Sequence, residues 1–280
     1  MQKKIKQKLN FAFWGTPDVA SETLNILKQN GYMPSLIVTA PDKPQGRKML
    51  ITPPEVKSWA IENNIPYIQP EDLKKGLDII QPDLFIVVAY GKIIPEDILN
   101  MPKLGSINIH YSLLPKYRGA SPVESAILSG DTETGITIQK MIYKMDAGPI
   151  IAEEKVSIFP DEKAGDLRKR LIKIGGELLV KILPELVIGK IKEVAQNENE
   201  AIHCKKIKKE DGLIDLNDDA VKNYNKFRAY ATWPRSFFFQ NKKRIIITDA
   251  TLENNQFIIR KVLPEGKKEI NYKDFLKTNI

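Results

Sequence analysis

A run of apolar, β-branched and aromatic residues, LFIVV, lies inside the segment PDLFIVVAYG (82–91) and constrains the fold more than any other feature. A continuous apolar run of this length is typical of a strand buried on both faces, as in a parallel sheet. NFAFWG (10–15) and SLIVTA (35–40) have the same character, and segments with helical spacing lie between such runs. This alternation predicts an α/β fold with an open, mostly parallel, Rossmann-like sheet in the N-terminal part.

Turn and capping residues divide the rest of this part into elements. Further strands are expected at 105–110, 135–145 and 150–158, and helices at 19–29, 55–64, 121–130 and 161–186. Asp18 and Ser121 are the expected N-caps of the helices that follow them, while Gly175 and Gly176 are expected to weaken the last helix. The segment 41–54 holds four prolines and one glycine, which predicts a loop.

The composition changes near residue 189, where a polar and charged segment without apolar periodicity begins. We interpret residues 189–208 as a linker between a catalytic domain at 1–188 and a second domain at 209–280. The second domain is predicted to hold a helix at 218–231, followed by short strands separated by turn residues. Such an arrangement favours a small β-barrel of the OB type.

The excess of positive charge lies in the C-terminal part of the chain. Residues 203–280 hold 17 Lys and Arg against 10 Asp and Glu, whereas residues 1–202 hold 26 against 25. A basic module attached to a nearly neutral one indicates a polyanionic partner, with nucleic acid favoured over a membrane. A Lys-rich surface that serves only solubility explains the same charge equally well.

Several classes of protein and site are disfavoured by what the sequence lacks. Cys204 is the only cysteine, which excludes an intrachain disulfide and a Cys-rich zinc site and fits a reducing compartment. No apolar run approaches the roughly 20 residues of a membrane-spanning helix. The first strand is followed by WGTPDVA, which is not a glycine fingerprint for a dinucleotide, and no P-loop motif occurs. Nicotinamide and ATP chemistry are therefore not indicated.

The segment GSINIHYSLLPKYRGASP (105–122) contains residues suited to catalysis. In a strand at 105–110, alternate side chains share a face, so Ser106, Asn108 and His110 are expected to lie together. They come at the carboxyl end of a central strand, where open α/β sheets bind ligands. An amide donor beside an imidazole suits the stabilisation of an oxyanion, although a strand end with satisfied polar groups explains an isolated Asn-x-His pattern as well.

Two further segments carry candidate catalytic or ligand-binding residues. Asp146 follows a predicted strand and precedes Ala-Gly-Pro, so it is either a turn former or a carboxylate that orients or charges His110. The proline-rich loop carries Lys43, Arg47 and Lys48. These cations either bind phosphate groups or are simply solvated surface residues.

The order of these motifs resembles the signature of the 10-formyltetrahydrofolate-dependent formyltransferases. The shared text is INIHYSLLPKYRGASPVESAILSGDTETGITI, with KMDAGPI after it. Further segments extend the similarity over essentially residues 10 to 277, and they are similar to the branch that formylates methionyl-tRNA: FWGTPDVA, APDKPQGRK, VVAYGKIIP, AIHCKKIKKEDGLIDL, FRAYATWP and VLPEGKKEINYKDFL. One departure is Pro149, where the family often has Asp.

The resemblance implies roles for particular residues of this chain. The catalytic residues of the family fall on Asn108, His110 and Asp146. The folate contacts fall on Ser112, Leu113, Leu114 and Pro115, joined by the strand-end residues Val88, Ala89 and Tyr90. The tRNA contacts fall on the insertion loop at 41–50, with Lys43, Arg47 and Lys48, and on the linker lysines Lys205, Lys206, Lys208 and Lys209.

The implied activity is transfer of a formyl group from the co-substrate 10-formyltetrahydrofolate to the α-amino group of initiator methionyl-tRNA in the cytoplasm. The implied partners are folate and tRNA; neither a metal nor a membrane is expected, and the chain is expected to be a monomer. The alternatives are a related formyltransferase acting on glycinamide ribonucleotide or an amino sugar nucleotide, a non-catalytic nucleic-acid-binding protein, and a dehydrogenase on a similar sheet. The missing glycine fingerprint disfavours the dehydrogenase.

Overall fold

Apolar segments of the N-terminal part form the strands of one large sheet. The computed structural model describes residues 9–46, 49–71, 73, 77 and 81–278. The β-strands are β1 (Phe11–Gly15), β2 (Leu36–Val38), β3 (Lys43–Gln45), β4 (Leu50–Thr52), β5 (Tyr67–Ile68), β6 (Leu84–Val88), β7 (Ser106–His110), β8 (Arg118–Gly119), β9 (Glu133–Lys140), β10 (Ile150–Ser157), β11 (His203–Cys204), β12 (Phe237–Gln240), β13 (Lys243–Glu253), β14 (Gln256–Pro264) and β15 (Ile270–Asn271). The α-helices are α1 (Asp18–Gln29), α2 (Glu55–Glu62), α3 (Glu96–Leu99), α4 (Pro122–Leu128), α5 (Ala164–Val187), α6 (Ala220–Ala229) and α7 (Tyr272–Thr278), and short 3₁₀ helices lie at Glu198–Glu200 and Lys209–Gly212.

The large sheet has seven strands in the order β10-β9-β7-β6-β1-β2-β5. β1 pairs in parallel with β2 and β6, β6 with β7, and β2 with β5, whereas β9 is antiparallel to β7. Parallel neighbours need a crossover connection, and α1 supplies the one between β1 and β2. The predicted α/β fold with an open, mostly parallel sheet is confirmed.

The central strands β1 and β6 are buried along their whole length, which explains why their sequences are continuously apolar rather than alternating. Trp14 on β1 packs against Phe85 on β6 and against Tyr90, with ring centroids 5.1 and 5.2 Å apart. Full burial of a large apolar side chain contributes about 1.5–3 kcal/mol relative to exposure. This packing holds the ends of the central strands in fixed positions.

The long helix α5 runs unbroken through its two glycines, so the expected weakening there is wrong. A Cβ atom on Gly176 would lie 2.6 Å from Ile26 Cδ1, and one on Gly175 would lie 3.2 Å from Ile109 and 3.3 Å from Ile136. The absence of side chains lets α5 approach α1 and the sheet closely. This packing outweighs the propensity cost of about 1 kcal/mol for each helical glycine.

Two other local predictions differ from the structure, and a third, Ser121 as an N-cap, is confirmed in position. The segment 41–54 is not a plain loop, because β3 and β4 pair within it as an antiparallel hairpin. Pro17 is the N-cap of α1, and Asp18 is the first helical residue, where its carboxylate accepts a hydrogen bond from the next backbone amide at 2.8 Å. Ser121 is the N-cap of α4, but its hydroxyl donates to the Lys205 carbonyl oxygen instead of capping the helix.

The C-terminal part forms a four-stranded antiparallel sheet in the order β12-β13-β14-β15, accompanied by α6 and α7. Its core holds Tyr224 and Phe227 from α6, Phe238 from β12, Val262 from β14 and Phe275 from α7. The small C-terminal β domain predicted as OB-like is confirmed as an antiparallel β domain. The sequence analysis does not anticipate α7, since its seven residues are too few to display a helical period.

Contacts group the chain into two compact units. The first comprises the residues up to Pro115, Ile136–Glu154 and Leu171–Ala201. The second comprises Lys116–Gly135, Lys155–Arg170 and the residues from Ile202 onward. The boundaries predicted for the catalytic domain, the linker and the C-terminal domain describe contiguous stretches of chain and stay a prediction.

Candidate active site

The parallel pairing of β6 and β7 brings Asn108 and His110 to the carboxyl edge of the sheet. Val87 lies opposite Asn108, so β6 and β7 end side by side at Val88 and His110. The Asn108 amide nitrogen donates to the Val87 carbonyl oxygen at 3.0 Å. Because an amide nitrogen carries two hydrogens, this bond orients the side chain and uses only one of them.

His110 faces the carboxylate of Asp146. The distance from His110 Nδ1 to Asp146 Oδ2 is 3.7 Å, and the two side chains are only 6% and 16% exposed. This distance is longer than a normal hydrogen bond, so the two groups would attract each other as an ion pair when the imidazole carries a proton on both nitrogens. Burial reduces screening by water, so the attraction is stronger than between two surface charges. The structure thus brings together two residues that are 36 positions apart in the sequence.

The turn that carries Asp146 is held by two glutamines. Asp146 has a φ of +51°, a left-handed conformation that is uncommon for residues other than glycine. The buried Gln139 donates from Nε2 to Asp146 Oδ1 at 3.0 Å. Gln196 donates from Nε2 to the carbonyl oxygens of Asp146 and Gly148 at 2.9 and 2.7 Å. The carboxylate and the backbone of this turn are therefore both fixed by hydrogen bonds.

Gly148 fixes the same turn by close packing. A Cβ atom at this position would lie 1.8 Å from the Lys140 carbonyl oxygen, so any larger residue would displace the backbone. The sequence allowed two interpretations of Asp146, as a turn former and as a carboxylate partner of His110. In the structure Asp146 has the backbone of a turn residue and also directs its carboxylate toward His110.

The segment that follows β7 is held by a hydroxyl group on β9. Thr137 Oγ1 donates to the Ser112 carbonyl oxygen at 2.8 Å and accepts from the Leu114 amide at 3.0 Å. Ser112 and Leu114 are buried, whereas Leu113 and Pro115 are half-buried. The half-buried side chains are the ones that remain available for contact with a ligand.

The residue that follows β6 is exposed and has an unusual backbone conformation. Val88 and Tyr90 are buried, whereas Ala89 between them is exposed and has a φ of +47°. Such a backbone conformation costs about 1–3 kcal/mol and is common at ligand sites. Burial raises the pKa of the Tyr90 phenol to about 12, and the Thr16 hydroxyl donates to the Tyr90 carbonyl oxygen at 3.1 Å. Ala89 is therefore an exposed residue between two buried neighbours.

The predicted tRNA contacts that the structure describes are exposed. Lys43 is exposed on β3, whereas Arg47 and Lys48 lie outside the described residues. The linker lysines are all exposed: Lys205, Lys206, Lys208 and Lys209. Lys206 also lines a cleft of about 280 Å³ in the second unit, together with Arg168 and the 53%-exposed Trp233. None of the three predicted catalytic residues lines this cleft.

Two further observations concern the described residues alone. They contain no group of three or more His, Cys, Asp or Glu side chains placed to hold a metal ion. None of the helices in this part of the chain combines the length and the apolar character that crossing a bilayer requires.

Comparison with known proteins decides the family. Residues 7–183 match the formyl transferase family, and residues 206–258 match the formyl transferase C-terminal domain. The methionyl-tRNA formyltransferase of Sulfurihydrogenibium sp. is 39% identical over 86% of this chain and 79% of its own length. That of Halalkalibacterium halodurans is 35% identical over 96% and 94%. The chain belongs to the methionyl-tRNA formyltransferase family.

The fold of this family member also occurs in formyltransferases with other substrates. The solved N-formyltransferase of Helicobacter canadensis, in complex with folinic acid and dTDP-3-aminofucose, has a TM-score of 0.69 to this chain. The alignment covers 88% of both chains at 21% identity, so the likeness concerns the fold alone. The family resemblance stated from the motifs is confirmed, whereas the roles of the individual site residues stay predictions.

Three residues that shape this site are not among the site residues predicted from the motifs of this methionyl-tRNA formyltransferase family protein: Thr137, Gln139 and Gln196. Thr137 and Gln139 lie opposite His110 and Asn108 in the antiparallel β7–β9 pair, and opposite residues share one face of a sheet. In the sequence GITIQ, the polar residues Thr137 and Gln139 alternate with the apolar Ile136 and Ile138. This alternation indicates that the two polar side chains share one face of a strand, and it could have identified them. Gln196 lies in the polar linker, where no local pattern distinguishes it.

Proposed function

We propose that this protein transfers the formyl group of 10-formyltetrahydrofolate to the α-amino group of initiator methionyl-tRNA, giving N-formylmethionyl-tRNA. The observation that carries the proposal is the placement of Asn108, His110 and Asp146 at the carboxyl edge of the sheet, with His110 Nδ1 3.7 Å from Asp146 Oδ2. The choice of acceptor is supported by relatives at 35% and 39% identity that carry this activity in their names.

The residues at this edge fit a folate. A pterin is flat and carries hydrogen-bond donors and acceptors along its edge, and the backbone at the exposed residue Ala89 would supply partners for them. Leu113 and Pro115 add half-buried apolar surface. The proposal therefore gives Val88–Tyr90 and Ser112–Pro115 the task of holding the folate, which supplies an activated formyl carbon.

The three candidate catalytic residues would stabilise the charges that develop during the reaction and accept one proton from the amine. As the neutral α-amino nitrogen of methionyl-tRNA attacks the formyl carbon, negative charge moves onto the formyl oxygen. The second N–H of the Asn108 amide and the imidazolium of His110 donate hydrogen bonds to that oxygen, and removing such a donor typically costs about 10²–10³ in rate. Asp146 balances the imidazolium charge and accepts the amine proton through a water molecule. When the tetrahedral intermediate collapses, the bond between the formyl carbon and N10 breaks, and N10 of the leaving tetrahydrofolate takes up that proton.

The exposed lysines would hold the tRNA. Four of them lie within residues 205–209, where the predicted linker meets the second domain, and contacts of lysine with phosphate position a nucleic acid without reading its sequence. Lys43 on the hairpin, with Arg47 and Lys48 beyond it in the sequence, would add contacts from the first unit. The single cysteine and the tRNA substrate support a cytoplasmic enzyme, and we propose that it acts as a monomer, which sedimentation equilibrium tests.

Formation of formylmethionine tests the proposal. The purified protein is incubated with 10-formyltetrahydrofolate and charged initiator tRNA, and the released amino acid is identified by mass. Uncharged initiator tRNA and elongator methionyl-tRNA serve as controls, and glycinamide ribonucleotide and an amino sugar nucleotide as competing acceptors. Formylation of one of the small amines, with no product on methionyl-tRNA, would overturn the proposal in favour of a small-amine formyltransferase.

A further inference from the structure

We propose that Gln139 is a positioning residue of this formyl transfer. It holds one carboxylate oxygen of Asp146 so that the other oxygen faces His110, while Gln196 holds the backbone of the same turn. The inference rests on the proposed function, because formyl transfer is the quantity measured. Neither glutamine belongs to the set of residues that the motifs single out.

The two oxygens of Asp146 have different partners. Oδ1 accepts from Gln139 Nε2 at 3.0 Å, and Oδ2 lies 3.7 Å from His110 Nδ1. A carboxylate that can rotate about its Cβ–Cγ bond exchanges its two oxygens, and a fixed donor on one oxygen prevents this. Gln139 therefore determines which oxygen the imidazole meets and at what distance.

The position of Gln139 is itself fixed by the sheet. Its side chain is 2% exposed, and the residue lies opposite Asn108 in the β7–β9 pair. A group supported by two strands of a packed sheet holds its geometry better than one on a loop. Asp146 lies on a loop, so the strand residue supplies rigidity that the loop lacks.

Gln196 acts on the backbone of the turn. Its Nε2 reaches the carbonyl oxygens of Asp146 and Gly148, and it also lies 3.5 Å from Gln139 Oε1. The two glutamine amides thus form one chain that holds the side chain and the main chain of Asp146. A left-handed residue other than glycine persists only when its surroundings hold it in place.

The chemistry of an amide suits this position. A lysine would neutralise Asp146 and compete with His110 for its charge, and a second carboxylate would repel it. An apolar residue would leave Oδ1 without its buried donor. A glutamine donates at every pH at which the enzyme works and leaves the negative charge of Asp146 for His110.

The charged groups around this turn have partners of their own. His110 on β7 faces Asp146, and on β10 the Glu153 carboxylate lies 3.3 Å from the hydroxyl of Thr137. The flanking lysines form ion pairs, Lys140 with Glu193 at 2.8 Å and Lys144 with Glu198 at 2.7 Å. Among the described residues, His110 and Glu153 are therefore the groups whose titration must be separated from that of a new residue at 139.

The first test removes the donor without changing the size of the side chain much. Gln139→Met is expected to lower kcat by about 10- to 100-fold, the effect of losing a hydrogen bond to a charged group. The KM values for folate and tRNA should stay within about two-fold, because Gln139 is buried and the proposal gives it no contact with either substrate. Thermal melting, measured alongside, verifies that the variant is folded.

The second test replaces the amide by an acid, Gln139→Glu. At low pH a protonated glutamic acid can donate to Asp146 Oδ1, whereas at high pH the two carboxylates repel. The ratio of variant to wild-type kcat should therefore rise as pH falls. We use the ratio because it removes the titrations that both enzymes share, those of His110, Glu153 and the amine substrate. Gln240→Glu, at the end of β12 in the second unit, is the matched control, and its ratio should stay near one at all pH values.

The outcomes separate the two proposals. A wild-type enzyme that does not formylate methionyl-tRNA refutes the proposed function. A wild-type enzyme that does so, with Gln139→Met and Gln139→Glu equally active, refutes the role of Gln139 alone. A loss in Gln139→Glu that is the same at every pH indicates a merely structural effect and also overturns it. A ratio that rises at low pH, with unchanged KM values, supports it.

Discussion

The carboxyl edge of the large sheet and the lysine-rich linker use polar side chains in opposite ways. At the edge, Asn108, Gln139 and Asp146 are buried or half-buried, and each is oriented by a hydrogen bond to a defined atom. In the linker, Lys205 and Lys206 are exposed to solvent. The first arrangement orients each polar group toward a defined partner, whereas the second supplies positive charge at the surface.

The difference follows from what each region has to recognise. A developing oxyanion is small and short-lived, so its donors must already be in place when it forms. A phosphate backbone is long and uniform, so many mobile cations bind it well and release counterions. Substitutions at the edge should therefore act on kcat and be insensitive to salt, whereas those in the linker should act on KM and depend on salt.

The largest expected effect is that of His110→Ala. We expect kcat to fall by about 10²–10⁴, since the variant loses both a donor to the oxyanion and the partner of Asp146. Initial rates at saturating folate and tRNA measure the effect. His203→Ala removes the only other histidine, which is exposed on β11, and should leave kcat unchanged. Equal rates for the two variants would remove His110 from the mechanism.

Neutralising the linker lysines should have the next largest effect. With Lys205, Lys206, Lys208 and Lys209 all replaced by Ala, we expect the KM for tRNA to rise by about 10- to 100-fold with kcat nearly unchanged. The slope of log affinity against log salt should become shallower by about 0.7–0.9 for each tRNA phosphate that the variant no longer neutralises. The charge-matched control replaces four exposed lysines of the first unit: Lys28, Lys103, Lys181 and Lys190. A salt slope that is the same in both quadruple variants would contradict a role for the linker in tRNA binding.

Alkali should destabilise the second unit more than the first. Burial raises the pKa of Tyr117, Tyr224 and Tyr230 in the second unit to about 12, and that of Tyr90 in the first unit likewise. Because these folded values lie above the unfolded value near 10, the stability they contribute is complete below pH 10 and is lost as pH rises through about 12. Each of these tyrosines contributes up to about 2 kcal/mol to the free energy of unfolding. The loss in alkali is therefore expected to be larger in the second unit, where three of them lie, than in the first, where one lies.

Tryptophan fluorescence during urea unfolding at pH 8 and pH 11.5 resolves this difference. A Trp233→Phe variant keeps Trp14 and Trp59 as reporters of the first unit, and a Trp14→Phe, Trp59→Phe variant keeps Trp233 as the reporter of the second. We expect the urea midpoint reported by Trp233 to fall further at pH 11.5. Equal shifts for both reporters would show that the buried tyrosines do not determine alkaline stability.

The smallest expected effect is that of Tyr224→Phe. Its hydroxyl donates to Asp161 Oδ1 at 2.8 Å, and Asp161 is exposed, so water replaces the missing donor. We expect a loss of about 0.5–1.5 kcal/mol in the free energy of unfolding and no change in kcat. Tyr67→Phe, at a more exposed ring, is the control for removing a phenol hydroxyl. A fall in kcat with Tyr224→Phe would mean that the chemistry is not confined to the edge of the sheet.

Much of the fold was predictable because its signals are local. The apolar runs that become β1 and β6 indicate buried parallel strands, and Asn108 and His110 fall at the end of the strand predicted beside them. The hairpin at 43–52 was missed because its prolines favour a loop, although Pro44 lies within the paired strand β3. The glycines of α5 were misjudged because their benefit lies in contacts with Ile26 and the sheet.

The sequence by itself determined the α/β architecture, the family, and the candidates Asn108, His110 and Asp146. Apolar runs, hydrophobic periodicity and motifs suffice for this, because they are properties of residues that are close together in the sequence. Only the tertiary structure decided that Gln139 would lie opposite Asn108 and that Gln196 would reach a turn 50 residues away. The register of an antiparallel pair and the path of a linker depend on packing over the whole unit. No short stretch of sequence encodes them, since the same local pattern is compatible with many registers.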